Sequence, residues 1–324
     1  MKVFAKKSSA VPNTYVFTRK EKRRKYVREM KRNYQIYILM IPVILYFLIF
    51  KYGPLYGASI AFMDYKPAKG IFGSEWVGFK HFITYFKDPY FFRTMRNTLV
   101  LSFLSIFISL PCTIFFALLI NEIGNMKFKK AVQTITYLPH FISMVIICGM
   151  IQEFCASKGI ITSILVFFGM ERQNLLQVPE FYRAIHLLSG LWQNIGWGTI
   201  IYLSAITSID QEQYEAAEID GAGRFSKMRY ITLPSIAPTV TIMLIMDLGK
   251  VMNVGYQKII LLANTLTLEY AEVIDSYVYR TGLASSFPRF SYSTAVGLFK
   301  SVVNIILVLT ANKVSRKIQG SGLF

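Results

Sequence analysis

The chain has 324 residues, of which 53% are apolar and only 17% charged, where soluble domains carry about 25% charge. Its apolar residues gather into runs near the roughly 20 residues that one bilayer crossing takes, which excludes an ordinary soluble globular protein. The net charge of +18 raises the question of nucleic acid, but its placement answers it: twelve Lys and Arg lie within residues 1–34, against Glu21 and Glu29. That block abuts the first apolar run, where basic residues fix membrane orientation, so no nucleic-acid partner is expected.

In chain order, residues 1–33 form a basic, polar segment that places the N-terminus in the cytoplasm. The run behind it is no signal peptide, being too long for an h-region and lacking a small-residue cleavage site. Six crossings are read at about 35–53, 97–120, 131–152, 184–206, 236–262 and 292–312. Six return the C-terminus to the cytoplasm, and Lys127, Lys129 and Lys130 in one loop and Lys313, Arg316 and Lys317 in the tail agree. These basic residues also attract anionic lipid headgroups, at about 1 kcal/mol each. Pro42, Pro111 and Pro139 fall inside runs, where neighbouring helices can satisfy the freed backbone groups.

Outside the runs, residues 54–93 read as a long external loop in which His81–Phe86 has aromatics spaced for an amphipathic surface helix. A second external segment, 154–183, carries the apolar piece Ile160–Phe168, too short to span and so a surface or re-entrant helix. The third, about 263–291, links the last two runs. Cys112, Cys148 and Cys155 make no bridge framework and read as packing residues. No internal repeat and no pair of matching interrupted helices is visible, which disfavours a secondary transporter.

The segment 208–235 is the most informative. Asp210 is a good N-cap, with Gln213 three residues on as in a capping box, and Gln211–Glu218 is rich in helix formers. Gly221 then permits a turn that a Cβ would resist. A second short helix is expected from Arg224 to Tyr230, ending before Leu233-Pro234 because Pro disfavours helix in the residue before it. Small Ala216 and Ala217 allow close approach of a partner surface, and Glu215 offers it a charge. The loop carries Asp210, Glu212, Glu215, Glu218 and Asp220 against Arg224, Lys227 and Arg229, an acidic departure on a basic face. A plain solvated connector is the alternative, but about thirty polar residues with this internal order are long for one.

The order Glu215-Ala216-Ala217, three residues, Gly221, nine residues, Ile231-Thr232-Leu233-Pro234 resembles the coupling loop of ABC-importer permeases. Further stretches carry the resemblance to the type I, carbohydrate-uptake group related to maltose permeases, and within it to the polysaccharide and oligosaccharide subfamily. They are Tyr137–Ser143, Gly196-Trp197-Gly198, Asn253–Tyr256, Ala295–Asn304 and Ala311-Asn312-Lys313. The resemblance covers residues 33 to the end. It implies an all-α bacterial cell-membrane protein of six transmembrane helices with both termini cytoplasmic, the permease domain occupying residues 34–324. Its implied partners are a homologous second permease, two cytoplasmic ATPase subunits, an external solute-binding lipoprotein and an oligosaccharide. Glu215, Ala216, Ala217, Asp220, Gly221, Ala222, Ile231, Leu233 and Pro234 would form the ATPase-coupling surface. The chain has no G-x-x-x-x-G-K-[ST] sequence, so it is expected to hold no cofactor and to be no enzyme; ATP and magnesium would bind the partner ATPases.

Polar residues inside spans are costly and therefore functional candidates. Those expected along a substrate pathway are Trp192, Asn194, Trp197 and Tyr202 in the fourth run, Asp247, Lys250, Asn253 and Tyr256 in the fifth, and Lys300 and Asn304 in the sixth. Asp247, Lys250, Val254 and Gln257 are expected on roughly one helical face. Aromatic platforms beside amides and charges suit sugars, and two lysines facing a cavity would favour an anionic one. Structural readings stand beside these. Asp247 and Lys250 can neutralise each other, Lys300 can snorkel to the interface, and Trp192 and Trp197 suit an interfacial belt. His140 reads as a structural hydrogen-bonder, with no metal partner. An ABC importer of non-sugar cargo and a stand-alone ion-coupled transporter built on Asp247 remain as alternatives; no carboxylate pair or Cys/His set suggests a membrane enzyme.

Overall fold

The computed structural model describes residues 28–319; most of the basic N-terminal segment lies outside them. The described chain divides at Ser59–Ile60 into two units. The first is a single helical stretch. Helix α1 (Tyr34–Phe47) contains Pro42 and has no buried residue. It continues through a π turn, Leu48–Tyr52, into the 3-10 segment Gly53–Phe62. A helix apolar on every side suits a lipid environment.

The second unit opens with a two-stranded antiparallel pair, β1 (Met63–Asp64) and β2 (Glu75–Trp76). It is otherwise helical: α2 (Lys80–Phe86), α3 (Tyr90–Asn121), α4 (Met126–Tyr137), α5 (Met144–Cys155), α6 (Ile160–Phe167) and α7 (Pro179–Thr207). Then come α8 (Gln211–Ile219), α9 (Arg224–Lys227), α10 (Leu233–Leu248), α11 (Gln257–Leu262), α12 (Leu268–Ala271), α13 (Ile274–Gly282) and α14 (Phe290–Gln319). Helices cover the expected 81–86 and 160–168 as α2 and α6, but α6 falls with α5 inside one membrane-length apolar stretch, Met144–Phe167, and not apart from the spans as expected.

Among the described residues five helical stretches are long and apolar enough to cross a membrane: Tyr34–Phe62, Tyr90–Asn121, Met144–Phe167, Arg224–Leu248 and Phe290–Lys317. The expected fourth run, 184–206, is a continuous helix within α7, but its His186, Ser189, Gln193 and Asn194 lower its mean hydropathy and leave it outside that set.

Two expected runs are not single helices. The third, 131–152, breaks at Pro139: α4 passes into a 3-10 turn over Leu138–Phe141, Ile142 is extended, and Ser143 caps α5 by accepting from Ile146 N–H. The fifth, 236–262, breaks after Leu248. Residues 249–256 are irregular, Gly255 has φ +83°, and helix resumes at Gln257. Asp247, Lys250, Val254 and Gln257 therefore share no helical face.

Side chains from three other helices hold that second break. Ser102 of α3 donates to Val251 C=O, Asn304 of α14 accepts from Met252 N–H at 3.1 Å, and Asp275 of α13 accepts from Gly255 N–H at 3.3 Å. Val251 and Met252 are fully buried. Irregular backbone at membrane depth is tolerated only where protein or a cavity satisfies it, and here protein does.

Helix α7 runs between α3 and α4, and glycine sets both approaches. A Cβ on Gly196 would stand 2.2 Å from the Thr136 carbonyl oxygen, and one on Gly198 2.9 Å from the Thr113 methyl. Small residues at helix crossings allow this closeness in membranes. One apolar cluster, including Leu101, Ile147, Ile151, Tyr182 and Ile259, packs α3, α5, α7 and α11 together. A second, with Ala117, Ile120, Tyr202, Ile206 and Ile236, joins α3, α7 and α10. A third joins α2, α13 and α14 through Tyr85, Ile274, Tyr277, Tyr292 and Val296.

Polar networks fasten the ends of α3, α13 and α14. Asp88 accepts from Tyr277 Oη and Tyr292 Oη, each at 2.7 Å, and from Tyr90 N–H at 2.9 Å. Burial pushes the Asp88 carboxyl up, but these three bonds and nearby Arg289 outweigh it and hold it below the usual carboxylate range. Glu272, buried, bridges Arg93 and Arg280, the latter at 2.7 Å.

Candidate functional site: a capped loop and a polar cavity

Two features stand out, and the first is the loop 208–235. Asp210 caps α8 by accepting from Glu212 N–H at 3.1 Å, while the return bond from Gln213 that a capping box requires is absent among the described residues. The far end closes with Gly221 at φ +76°. Gly221 N–H donates to Glu218 C=O at 3.0 Å and Ala222 N–H to Ala217 C=O at 2.8 Å, the paired bonds of a Schellman motif. Lys227 of α9 then reaches back to Glu218 at 2.9 Å. That hydrogen bond, reinforced by the lysine charge, holds the Glu218 carboxyl below its ordinary range. Tyr214 Oη and Thr232 Oγ1, 2.9 Å apart, tie α8 to the chain leading into α10.

The second helix of the loop does not stop before Leu233-Pro234 as expected. A π turn over Met228–Thr232 carries α9 straight into α10, with Pro234 in the first turn. In this continuous helix the proline forgoes one backbone hydrogen bond, and the wider π turn just before it relieves the clash of its ring with the preceding carbonyls. The result is a rigid angle of two helices. Glu215, Ala216, Asp220 and Gly221 are exposed, Ala217, Ala222 and Ile231 half-buried, and Ile219 (88% exposed), Phe225 (71%) and Tyr230 (71%) extend an apolar surface beside them.

The second feature is a pair of adjoining cavities between α3, α7 and α10. One, of about 210 Å³, is lined by Ser102, Ser105, Ser109, His186, Asp247, Lys250 and Asn253, with Leu101, Ile106, Val251 and Val254. The other, of about 180 Å³, is lined by Thr113, Asn194, Gly198 and Tyr202 among others, and shares Ser109 and Asp247 with the first. Ser102, Ser105, Ser109 and Thr113 recur every three or four residues, one face of α3. Hydroxyls on one wall and charges and amides on the other can hydrogen-bond a polar, uncharged ring or a carboxylate.

The structure brings Asn194, Tyr202, Asp247, Lys250 and Asn253 together around these cavities. Asp247 and Lys250 form no ion pair, since neither belongs to any of the ion pairs among the described residues. The other pathway candidates lie elsewhere. Trp197 stacks on His140 at 4.7 Å with an interplanar angle of 2°, and His140 Nδ1 lies 3.0 Å from Asn194 Oδ1. Trp192 lines neither cavity and is 42% exposed. Tyr256 stacks on Tyr279 at 5.0 Å, Lys300 pairs with Asp275, and Asn304 holds Met252. The hydroxyl face of α3 and His186 were not expected; the three- and four-residue spacing of Ser and Thr in the second run was the available signal.

A bundle of apolar helices around a polar cavity, with a capped helical angle between two of the helices, is the architecture of a membrane transport subunit. The chain belongs to the family of binding-protein-dependent transport system inner membrane components, whose family model matches residues 90–320. Over 310 residues it is 44% identical to the polygalacturonan/rhamnogalacturonan transport system permease protein YteP of Bacillus subtilis, covering 95% of this chain and 96% of that one. It is 25% identical over 290 residues to the arabinooligosaccharides transport system permease AraP of the same organism, covering 88% and 90%. Among solved structures it is similar, at 41% identity and a TM-score of 0.82, to a chain of a bacterial ABC transporter that imports the acidic polysaccharide alginate; the match covers 91% of this chain and 99% of that one.

Proposed function

We propose that this chain is the membrane permease subunit of an ATP-driven importer that receives oligosaccharides from an external binding protein. The observation that carries the reading is the loop 208–235: a helix capped at both ends, braced by Lys227 and Tyr214, and presenting Glu215 and Ala216 unobstructed. Such an angle suits docking to a moving partner better than joining two helices. In this reading α7 is the sixth crossing, alongside the five apolar stretches, and both termini and the loop face the cytoplasm, in line with the basic residues flanking them. Two ATPase subunits that bind ATP and magnesium engage Glu215, Ala216, Ala217 and the Gly221 bend, and a homologous second permease completes the pathway. Closure of the ATPases moves α8 and, through the continuous α9–α10 rod, the wall of the cavity. The carbohydrate relatives and the hydroxyl-lined cavity support a sugar cargo.

The test is ATPase activity of the co-purified complex in nanodiscs, for wild type and Glu215→Ala, with and without binding protein loaded from an oligosaccharide panel. One loaded sugar is expected to stimulate the wild type several-fold and the variant not at all. A chain that purifies without any ATPase and transports alone under an ion gradient overturns the reading.

A further inference from the structure

One cavity takes no part in the reading above: an apolar groove of about 370 Å³ between α10 and α14. Leu244 and Leu248 line it on α10, and Leu307, Thr310, Ala311, Val314 and Ser315 on α14. The two helices meet at Gly249, where a Cβ would stand 2.9 Å from a Val308 methyl. Beside that contact the groove runs along α14 from Leu307 to Ser315, about 12 Å at the helical rise per residue. With the loop 208–235 and the C-terminus both cytoplasmic, an orientation that rests on the importer reading above, Ser315 marks its cytoplasmic end.

Charge at that end is arranged by helix face. The lining residues of α14 recur every three or four positions, one side of the helix. Lys317, three past Val314 and seven past Thr310, continues that side. Lys313, three past Thr310, stands one turn before Lys317 along the same edge, while Arg316 falls on the opposite side. All three are exposed, and none belongs to an ion pair among the described residues. The sequence offers no counter-charge close by: no Asp or Glu follows Asp275, and none lies between Gly221 and Met246.

An apolar slot forfeits contacts unless something fills it, and a lysine ammonium binds a phosphate as a point charge. A slot with two lysines on one edge of its mouth therefore matches a hydrocarbon chain that ends in an anion. A helix of the expected second permease is the competing occupant. The cytoplasmic ends of membrane helices are themselves basic, so such an end would set like charge against Lys313 and Lys317, where an anionic lipid brings the opposite sign.

We propose that this groove is a binding site for one anionic phospholipid of the cytoplasmic leaflet. Its acyl chain lies between α10 and α14, against the α9–α10 rod, and its phosphate sits on Lys313 and Lys317.

The experiment places the complete complex in phosphatidylcholine nanodiscs with a trace of one photoprobe, phosphatidylglycerol or phosphatidylcholine, each carrying a diazirine in its acyl chain. Labelled residues are mapped by mass spectrometry after illumination. In wild type the phosphatidylglycerol probe is expected to label Leu244, Leu248 and the lining face of α14 several-fold more than the phosphatidylcholine probe. Lys313→Gln and Lys317→Gln are each expected to lower that ratio about fivefold, and Arg316→Gln to leave it unchanged. Ala311→Phe, which fills the slot, is expected to remove the label from Leu244 and Leu248 with both probes. Equal labelling by the two probes in wild type overturns the proposal, because bulk lipid then fills the groove. So does an equal fall in Arg316→Gln, which would report diffuse surface charge, and so does a groove that neither probe labels, which would mean that protein covers it. The labelling reads the site whether or not ATPase subunits co-purify, so a failure of the importer reading shows separately as their absence.

Discussion

Replacing Asn304 with Leu keeps the shape of the side chain but removes the acceptor for Met252 N–H. Met252 is fully buried, so no water can take over, and an orphaned buried donor costs about 1–3 kcal/mol. The cost falls on the closed form of the break and not on the whole fold, because Ser102 and Asp275 still hold its two sides. Local opening of residues 249–256 should therefore become roughly 5- to 150-fold more populated. Hydrogen exchange of that peptide, read by mass spectrometry on the complex in nanodiscs, measures this directly. Protection is expected to drop there by that factor while α3, over Tyr90–Asn121, stays as in wild type. If Asn304→Leu leaves the protection of 249–256 unchanged, the bond is not what holds the break and the reasoning fails.

Gly196→Ala should lower the melting temperature of the assembled complex, because its Cβ would meet the Thr136 carbonyl at 2.2 Å and overpacking costs about 1–3 kcal/mol; Gly297→Ala, whose Cβ meets nothing within 4 Å, is the control expected to melt as wild type. Asp88 ionises more readily in the folded chain than in the unfolded one, so its contribution is complete above the unfolded value of about 3.9 and fades as pH falls through the lower folded value. Between pH 5 and 7, as order-of-magnitude bounds from the same carboxylate range, its contribution should be flat; Asp88→Asn should destabilise across that whole window and abolish this group's share of the acid-induced loss, as melting scans against pH would register.

What could be seen in the sequence was what is decided locally. The cap at Asp210, the bend at Gly221 and the helix between them depend on neighbours a few residues away, and they stand where the residue order put them. The same holds for α2 and α6, whose spacing of apolar residues is its own signal. The breaks at Leu138–Phe141 and 249–256 could not be read that way. Apolar residues run through both, Ile142 in one and Val251-Met252 in the other, so hydropathy continues where helix does not. What stabilises the second break comes from Ser102, Asp275 and Asn304, up to 149 positions away. The same distance hides the contacts of Lys300 and Tyr256, whose partners, Asp275 and Tyr279, lie in a different segment. The continuation of α9 into α10 was hidden for the opposite reason: Pro234 is a strong local stop signal, and a π turn absorbed it.

The clamping of residues 249–256 bears on how the molecule can move. An interruption in a membrane helix invites the picture of a hinge, a place where one half swings on the other. This one is bolted on three sides, to α3, α13 and α14, and two of the three backbone groups, those of Val251 and Met252, are buried away from water. It behaves as a bracket: its angle is set by the helices it joins, and it can travel only if they travel with it. Lys250 and Asn253, carried on the bracket, therefore shift only together with the helices that hold it, and the cavity wall they belong to moves without bending at its own break.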